Sequence, residues 1–284
     1  MRTIKLTLAY DGTDFAGWQT QESDRSVQAT LEETLEKITG ARPSTLASGR
    51  TDAGVHALGQ VVSFRTESRL TCDVLQRALN AELPRTIAVL GAADVHEGFH
   101  ATHDALRKRY RYVLHDGPVR DVFALRYAWH LGRGRLDVPA MQRAAAALVG
   151  THDFSSFETT GAPRKTSVRT VYDLSIERGR AGQGRGERNG PSLPPGEARA
   201  ERALPAGEGR AGEGSDFVAL EIEANGFLYN MVRTVVGTLV EVGRAARPES
   251  WPGEVLAAAD RRRAGRTAPP QGLFLVRVQY PGDT

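Results

Sequence analysis

Gly49-Arg50-Thr51-Asp52-Ala53-Gly54-Val55-His56-Ala57 runs almost directly into Gln60-Val61-Val62-Ser63-Phe64-Arg65, so a short glycine-flanked loop feeds an extended, largely apolar strand. The loop carries one carboxylate between two glycines, with an arginine two positions before it. Glycine lets the backbone approach a ligand closely or take a positive φ, and the turn-rich Arg42-Pro43-Ser44-Thr45 on the other side pins the loop between ordered elements. Such a pattern fits an active-site loop. It also fits a surface turn with a solvated Asp52–Arg50 pair, and exposed pairs of that kind are common and weak. The remainder of the chain decides between the two.

Working outward, Ile4, Leu6, Leu8 and Tyr10 alternate with Thr3, Lys5, Thr7 and Ala9, the period-two signature of a strand with one buried face. Phe15 and Trp18 follow on a loop, where they serve either as core anchors or as stacking platforms for a base. Ser26 caps a predicted helix whose apolar positions Val27, Leu31, Leu35 and Ile38 recur at helical spacing, and Gly40 ends it. A second helix is predicted around Asp73 to Ala81, stopped by Leu83-Pro84, and a third strand at Ile87 to Leu90. Strand, helix, strand, helix, strand suits helices packed on a mainly antiparallel sheet.

The second half repeats the theme. Strands are predicted at Lys108 to Leu114, Val168 to Ile176, Phe217 to Glu223 and Leu273 to Tyr280, with helices around Pro139 to Leu148 and from Phe227 to Arg244. The fold class is therefore α/β (α+β), two similar halves with mainly antiparallel sheets flanked by helices. The division falls at 1–104 and 105–284. From about 178 to 215 the chain mixes Gly, Arg, Glu, Pro and Ala with scarcely a large apolar side chain, which reads as a long disordered excursion from a hairpin.

Composition bounds the function. The chain has 284 residues, 40% hydrophobic and 25% charged, with a formal charge of +3, which is ordinary for a globular protein. The single cysteine, Cys72, excludes an intrachain disulfide framework and a multi-cysteine metal site, and fits a reducing compartment. The N-terminus alternates and carries charge, unlike a secretory signal, and no apolar run approaches the roughly 18 residues of a membrane span. A cytoplasmic location is expected. His96, His100 and His103 lie close together, but Gly98 weakens a helix there and the His-Glu-x-x-His zinc pattern is missing, so no metal is expected. Nor does the sequence hold a phosphate loop or a dinucleotide fingerprint, so no cofactor is expected.

Two further stretches carry chemistry. In Arg107-Lys108-Arg109-Tyr110-Arg111-Tyr112, alternation sends the tyrosines to one face and Arg109 and Arg111 to the other. Cations beside aromatics suit an RNA surface; core tyrosines with a solvated basic face fit equally. In Asn225 to Gly237, Arg233 interrupts a helix that is apolar nearly all round. An arginine there needs an acidic partner, with Asp52 the obvious candidate, or else snorkels at the helix edge.

Together these residues resemble the tRNA pseudouridine synthase A family. Gly49-Arg50-Thr51-Asp52-Ala53-Gly54-Val55-His56 corresponds to its catalytic motif. Further similarity lies in Tyr10 to Gln19, Phe99-His100-Ala101, Lys108 to Tyr112, Met231-Val232-Arg233 and Gly272-Leu273. The resemblance implies a pseudouridine synthase fold and the isomerisation of uridine to pseudouridine at tRNA positions 38, 39 and 40 in the anticodon stem-loop. It implies tRNA as partner, a homodimer and no cofactor. Asp52 is the implied nucleophile or base, attacking C1′, abstracting the 2′ proton or adding to the base ring. Tyr110 matches the family's active-site tyrosine, which stacks on the target base. Arg233 and Arg50 would hold Asp52 ionised, since an opposite charge within about 4–6 Å favours the carboxylate. Leu273 is an expected substrate contact, and Arg107, Arg109, Arg111, Arg164 and Lys165 are expected to line a cleft gripping RNA phosphates. A non-catalytic tRNA-binding module is the alternative, and a metal-dependent hydrolase a third.

Overall fold

A computed structural model describes residues 1–20, 24–132, 134–159, 166–179 and 215–283. Among them, residues 1–106 and 274–283 form one unit and residues 107–179 and 215–273 a second. The expected excursion at 178–215 lies, but for its ends, outside the described residues, as do Arg164 and Lys165.

In the first unit the strands are β1 (Arg2–Tyr10), the short β2 (Leu46–Ala47), β3 (His56–Thr66), β4 (Ile87–Val95) and β10 (Leu273–Gln279, from Phe274 on). Their order is β4-β1-β3-β10, with β2 paired to β3. The β1 pairings to β3 and β4 are antiparallel, whereas β10 runs parallel to β3 through Phe274–His56 and Leu275–Ala57. The register sets Ile4 opposite Phe64 and Leu6 opposite Val62. That apolar face receives helix α1 (Val27–Thr39) through Val27, Leu31 and Leu35, each fully buried. Burying one such valine or leucine contributes roughly 1.5–3 kcal/mol, so three on one stripe outweigh the modest intrinsic helicity of a 13-residue segment. Ser26 accepts a hydrogen bond from the Ala29 N–H, and Gly40 closes the helix as the spacing predicts. Helix α2 (Cys72–Glu82) packs Leu75 and Leu79 beside it.

The sequence division placed everything after 104 in one half. The last strand instead belongs to the first unit, because its ladder partner there is β3. Phe15 and Trp18 are core residues, 3% and 2% exposed, which decides their reading against base stacking.

In the second unit β5 (Arg107–His115), β9 (Phe217–Ala224), β8 (Val168–Arg178) and β7 (Gly150–Asp153) pair antiparallel in that order, and β6 (Trp129–His130) runs parallel to β5. Helices α3 (Val138–Ala145), α4 (Met231–Gly243) and α5 (Trp251–Ala258) accompany them. Helix α4 is buried at nearly every position, as its apolar sequence requires. It starts four residues later than the predicted Phe227. Asn230 sits at φ 60° just before it, a conformation asparagine tolerates, and its Oδ1 accepts from Arg233 instead of capping the helix. Among the described residues no helix is long and apolar enough to cross a membrane.

Candidate active site

The Asp52 loop is held by its neighbours' backbone and by hydroxyl, amide and imidazole side chains. Trp18 N–H donates to Thr51 C=O at 3.0 Å, Gly54 N–H to Phe15 C=O at 3.3 Å, and Val55 N–H to Asp52 C=O at 3.1 Å. The Tyr10 hydroxyl lies 2.7 Å from Thr51 Oγ1. Gln60 donates to Gly49 C=O at 2.7 Å and accepts from Ser48 at 2.7 Å. At the far end, Gly12 N–H donates to His56 Nδ1 at 3.0 Å, and the His56 ring stacks on Phe274 with centroids 4.7 Å apart. Gly17 makes this possible. Its φ is +105°, and a Cβ there would sit 2.7 Å from Thr51 C=O. Burial pushes the Tyr10 phenol up to about 12, its bonds to Thr51 and Gln60 acting the other way, so the anchor stays a neutral phenol at physiological pH. Within this frame Asp52 is half-buried, with Arg50 exposed two residues away.

The second unit supplies the other expected residues. Tyr110, 7% exposed, meets the Phe227 ring edge-on at 5.0 Å, so its plane is fixed by packing. Tyr112 is fully buried; its hydroxyl donates to Pro269 C=O at 2.7 Å. Burial raises its phenol far above the usual range, while the charges of Arg233 and Arg266 pull it down, so both arginines stand near this ring. Arg233 donates through Nε to Ala268 C=O and through Nη1 to Asn230 Oδ1, both at 2.7 Å. Gly272 lies flat on the Tyr112 ring, and Leu273 beside it is 5% exposed.

The arginines of β5 are each paired with carboxylates. Arg109 is 3.1 Å from Glu221, 3.1 Å from Glu223 and 3.5 Å from Asp173. Arg111, 2% exposed, pairs with Glu221 at 2.6 Å, and Arg107 pairs with Glu223 at 3.3 Å while lying over the Tyr172 ring. The cross-strand register that puts Arg109 opposite Glu223 and Arg111 opposite Glu221 makes a neutral ladder of this face.

Several participants escaped sequence reasoning. Lys108 shares the face of Tyr110 and Tyr112 by alternation; burial, with the like charge of Arg169, pushes its ammonium down to about 8. Nothing in the sequence tied Tyr112 to the Ala268-Pro269 stretch or Tyr10 to Thr51. The sequence signal was that Tyr10, Thr51, Lys108, Tyr112 and Gly272 lie within the family-like motifs, whereas Ala268 and Pro269 lie outside them. Among the described residues no cluster of three His, Cys, Asp or Glu side chains is placed to hold a metal.

The first unit thus holds a carboxylate on a loop tied down by hydrogen bonds, and the second a packed tyrosine and a hydrogen-bonded arginine. A model of the tRNA pseudouridine synthase family matches residues 7–104 and 144–281, and the chain belongs to that family. Among its relatives, tRNA pseudouridine synthase A of Moorella thermoacetica is 44% identical over 99% of this chain and all of its own length. The Brevibacillus brevis protein of the same name is 42% identical, and that of Thermoanaerobacter sp. (strain X514) 39%, with the same coverage.

Proposed function

We propose that this protein isomerises uridine to pseudouridine at positions 38, 39 and 40 of tRNA, on the 3′ side of the anticodon arm, with Asp52 as the reacting carboxylate. The observation that carries the reading is the Asp52 loop, anchored on both sides by buried bonds in a chain of this family. Its function demands a fixed carboxylate, because an attacking group must be aligned before bond-making.

The bond balance is closed. The C1′–N1 bond breaks, the uracil rotates, C5 joins C1′, and the C5 proton leaves as N1 gains one. No oxidant or reductant enters. Asp52 acts as nucleophile, at C1′ or at the base ring, or as base toward the 2′ proton. Tyr110 offers its ring to the extruded base, whose unstacking the RNA must otherwise bear alone, and its phenol oxygen, having passed its own proton to solvent, takes the C5 proton. Arg233, with Arg50, orients the carboxylate; the resemblance supports that pairing. Substrate tRNA and a homodimeric assembly belong to the same reading.

The test is tritium release from C5-labelled uridine in tRNA, with wild type and Asp52→Asn. Wild type releases label, whereas the variant turns over at least about 10³-fold more slowly and still binds tRNA. A binding-only module would bind in both cases and release label in neither.

A further inference from the structure

On β5 the arginines are matched by carboxylates across the sheet, a neutral ladder. Another basic stretch is built differently. After α5, the chain turns at Ala259, with φ 48°, into Asp260-Arg261-Arg262-Arg263-Ala264-Gly265-Arg266-Thr267-Ala268. Four guanidinium groups there face one carboxylate of the same stretch, Asp260, which Arg262 engages at 2.8 Å.

The backbone of this segment is fixed on α4. Gly265 N–H donates to Thr238 Oγ1 at 3.0 Å, and Ala268 N–H donates to Arg233 C=O at 3.0 Å. The crossing is so close that a Cβ on Gly237 would lie 1.8 Å from Arg266 C=O, so only glycine allows it. Arg261 ties the bend internally, donating to Gly265 C=O and Thr267 Oγ1, both at 2.9 Å. Arg266, exposed, lies over the Trp129 ring with its guanidinium 4.5 Å from the centroid. Arg263 is exposed, and among the described residues it makes no ion pair.

The segment is also joined to the reacting neighbourhood. Ala268 C=O holds Arg233, and Pro269 C=O holds the Tyr112 hydroxyl. Exposed guanidinium groups on a rigid backbone bind phosphate with little ordering cost, and the planar fork matches two phosphate oxygens. The ring under Arg266 orients that fork without neutralising it.

We propose that Arg263 and Arg266 form a phosphate-gripping surface for the tRNA backbone. This rests on the tRNA-modifying reading above.

The experiment measures the affinity of an in vitro transcribed tRNA, carrying uridines on the 3′ side of its anticodon arm, from low to moderate salt. Arg263→Gln and Arg266→Gln are tested singly and together, with Arg263→Lys and Arg266→Lys as charge-retaining partners. Each glutamine weakens binding roughly five- to tenfold and lowers the slope of log K against log salt by about one. KM rises and kcat holds within about twofold, while the lysine variants recover most of the affinity. Wild-type affinity and salt slope in the double glutamine variant overturn the proposal, as does a loss confined to kcat. Should wild type itself make no pseudouridine, it is the tRNA-modifying reading that fails; the binding comparison still judges the surface.

Discussion

Arg107, Arg109 and Arg111 on β5 and Arg261, Arg262, Arg263 and Arg266 after α5 are alike in sequence and opposite in circumstance. The first group faces β9, where Glu221 and Glu223 stand directly across, and Asp173 closes on Arg109 from β8. The second group lies along a segment outside the sheet, whose own carboxylate, Asp260, pairs with Arg262. A basic run in a strand inherits the charge of the strand beside it. A basic run on a bend keeps its own. Availability for a phosphate therefore follows cross-strand register more than arginine count.

The most disruptive way to probe this contrast is Arg111→Met. It leaves Glu221, only 16% exposed, with fewer cationic partners, and removing one member of a buried pair typically costs about 3–5 kcal/mol. A lowered thermal midpoint with an unchanged salt slope for tRNA binding is the expected outcome. A slope lowered by one with stability intact would return the ladder to the RNA surface and break the comparison.

A second arginine pair sharpens it. Arg178 grips Asp116 through both terminal nitrogens, at 2.9 and 2.6 Å, and Leu136 N–H adds a third bond. Burial alone would raise the Asp116 carboxyl, but the hydrogen bonds from Arg178 and Leu136 outweigh it and hold the group below its ordinary value. The depressed folded value means that the unfolded chain takes up the proton first as pH falls. The pair's stabilisation is thus full above the unfolded pKa and drains as pH drops through the folded one. Arg178→Ala is expected to cost about 2–3 kcal/mol at neutral pH, and the gap from wild type to close in acid. Denaturant melts from pH 7 to pH 3 measure it; a gap constant with pH would deny the pair its role.

The smallest effect concerns the neutral scaffold of the Asp52 loop. Thr51→Val removes the partner of the buried Tyr10 hydroxyl, which keeps only Gln60 at 3.4 Å. A loss of about 1 kcal/mol in stability is expected, with kcat lowered severalfold at unchanged KM, because the loop that carries Asp52 slackens while no RNA contact is lost. Turnover equal to wild type would separate the anchor from the chemistry.

Much of the fold was legible in the sequence. The Ser26-to-Gly40 helix, the alternation in β1 and the apolar span of α4 are local patterns, and local patterns record which side of an element faces the core. The Asp52 loop was legible for the same reason: its glycines, arginine and carboxylate are contiguous. The late start of α4 was not, because it hangs on Arg233 taking the side chain of Asn230 and on Phe227 leaving to pack against Tyr110. Likewise Phe15 and Trp18 gave no sign in sequence of whether they would be covered.

By itself, then, the sequence determined the α/β elements, the Asp52 loop and the family to which they belong. The tertiary structure decided which arginines of β5 meet carboxylates across the sheet. Arg109 and Glu221 stand 112 residues apart, and Tyr112 and Pro269 157 apart. Charge neutralisation acts over a few ångströms of space, and only folding brings such distant positions within that range.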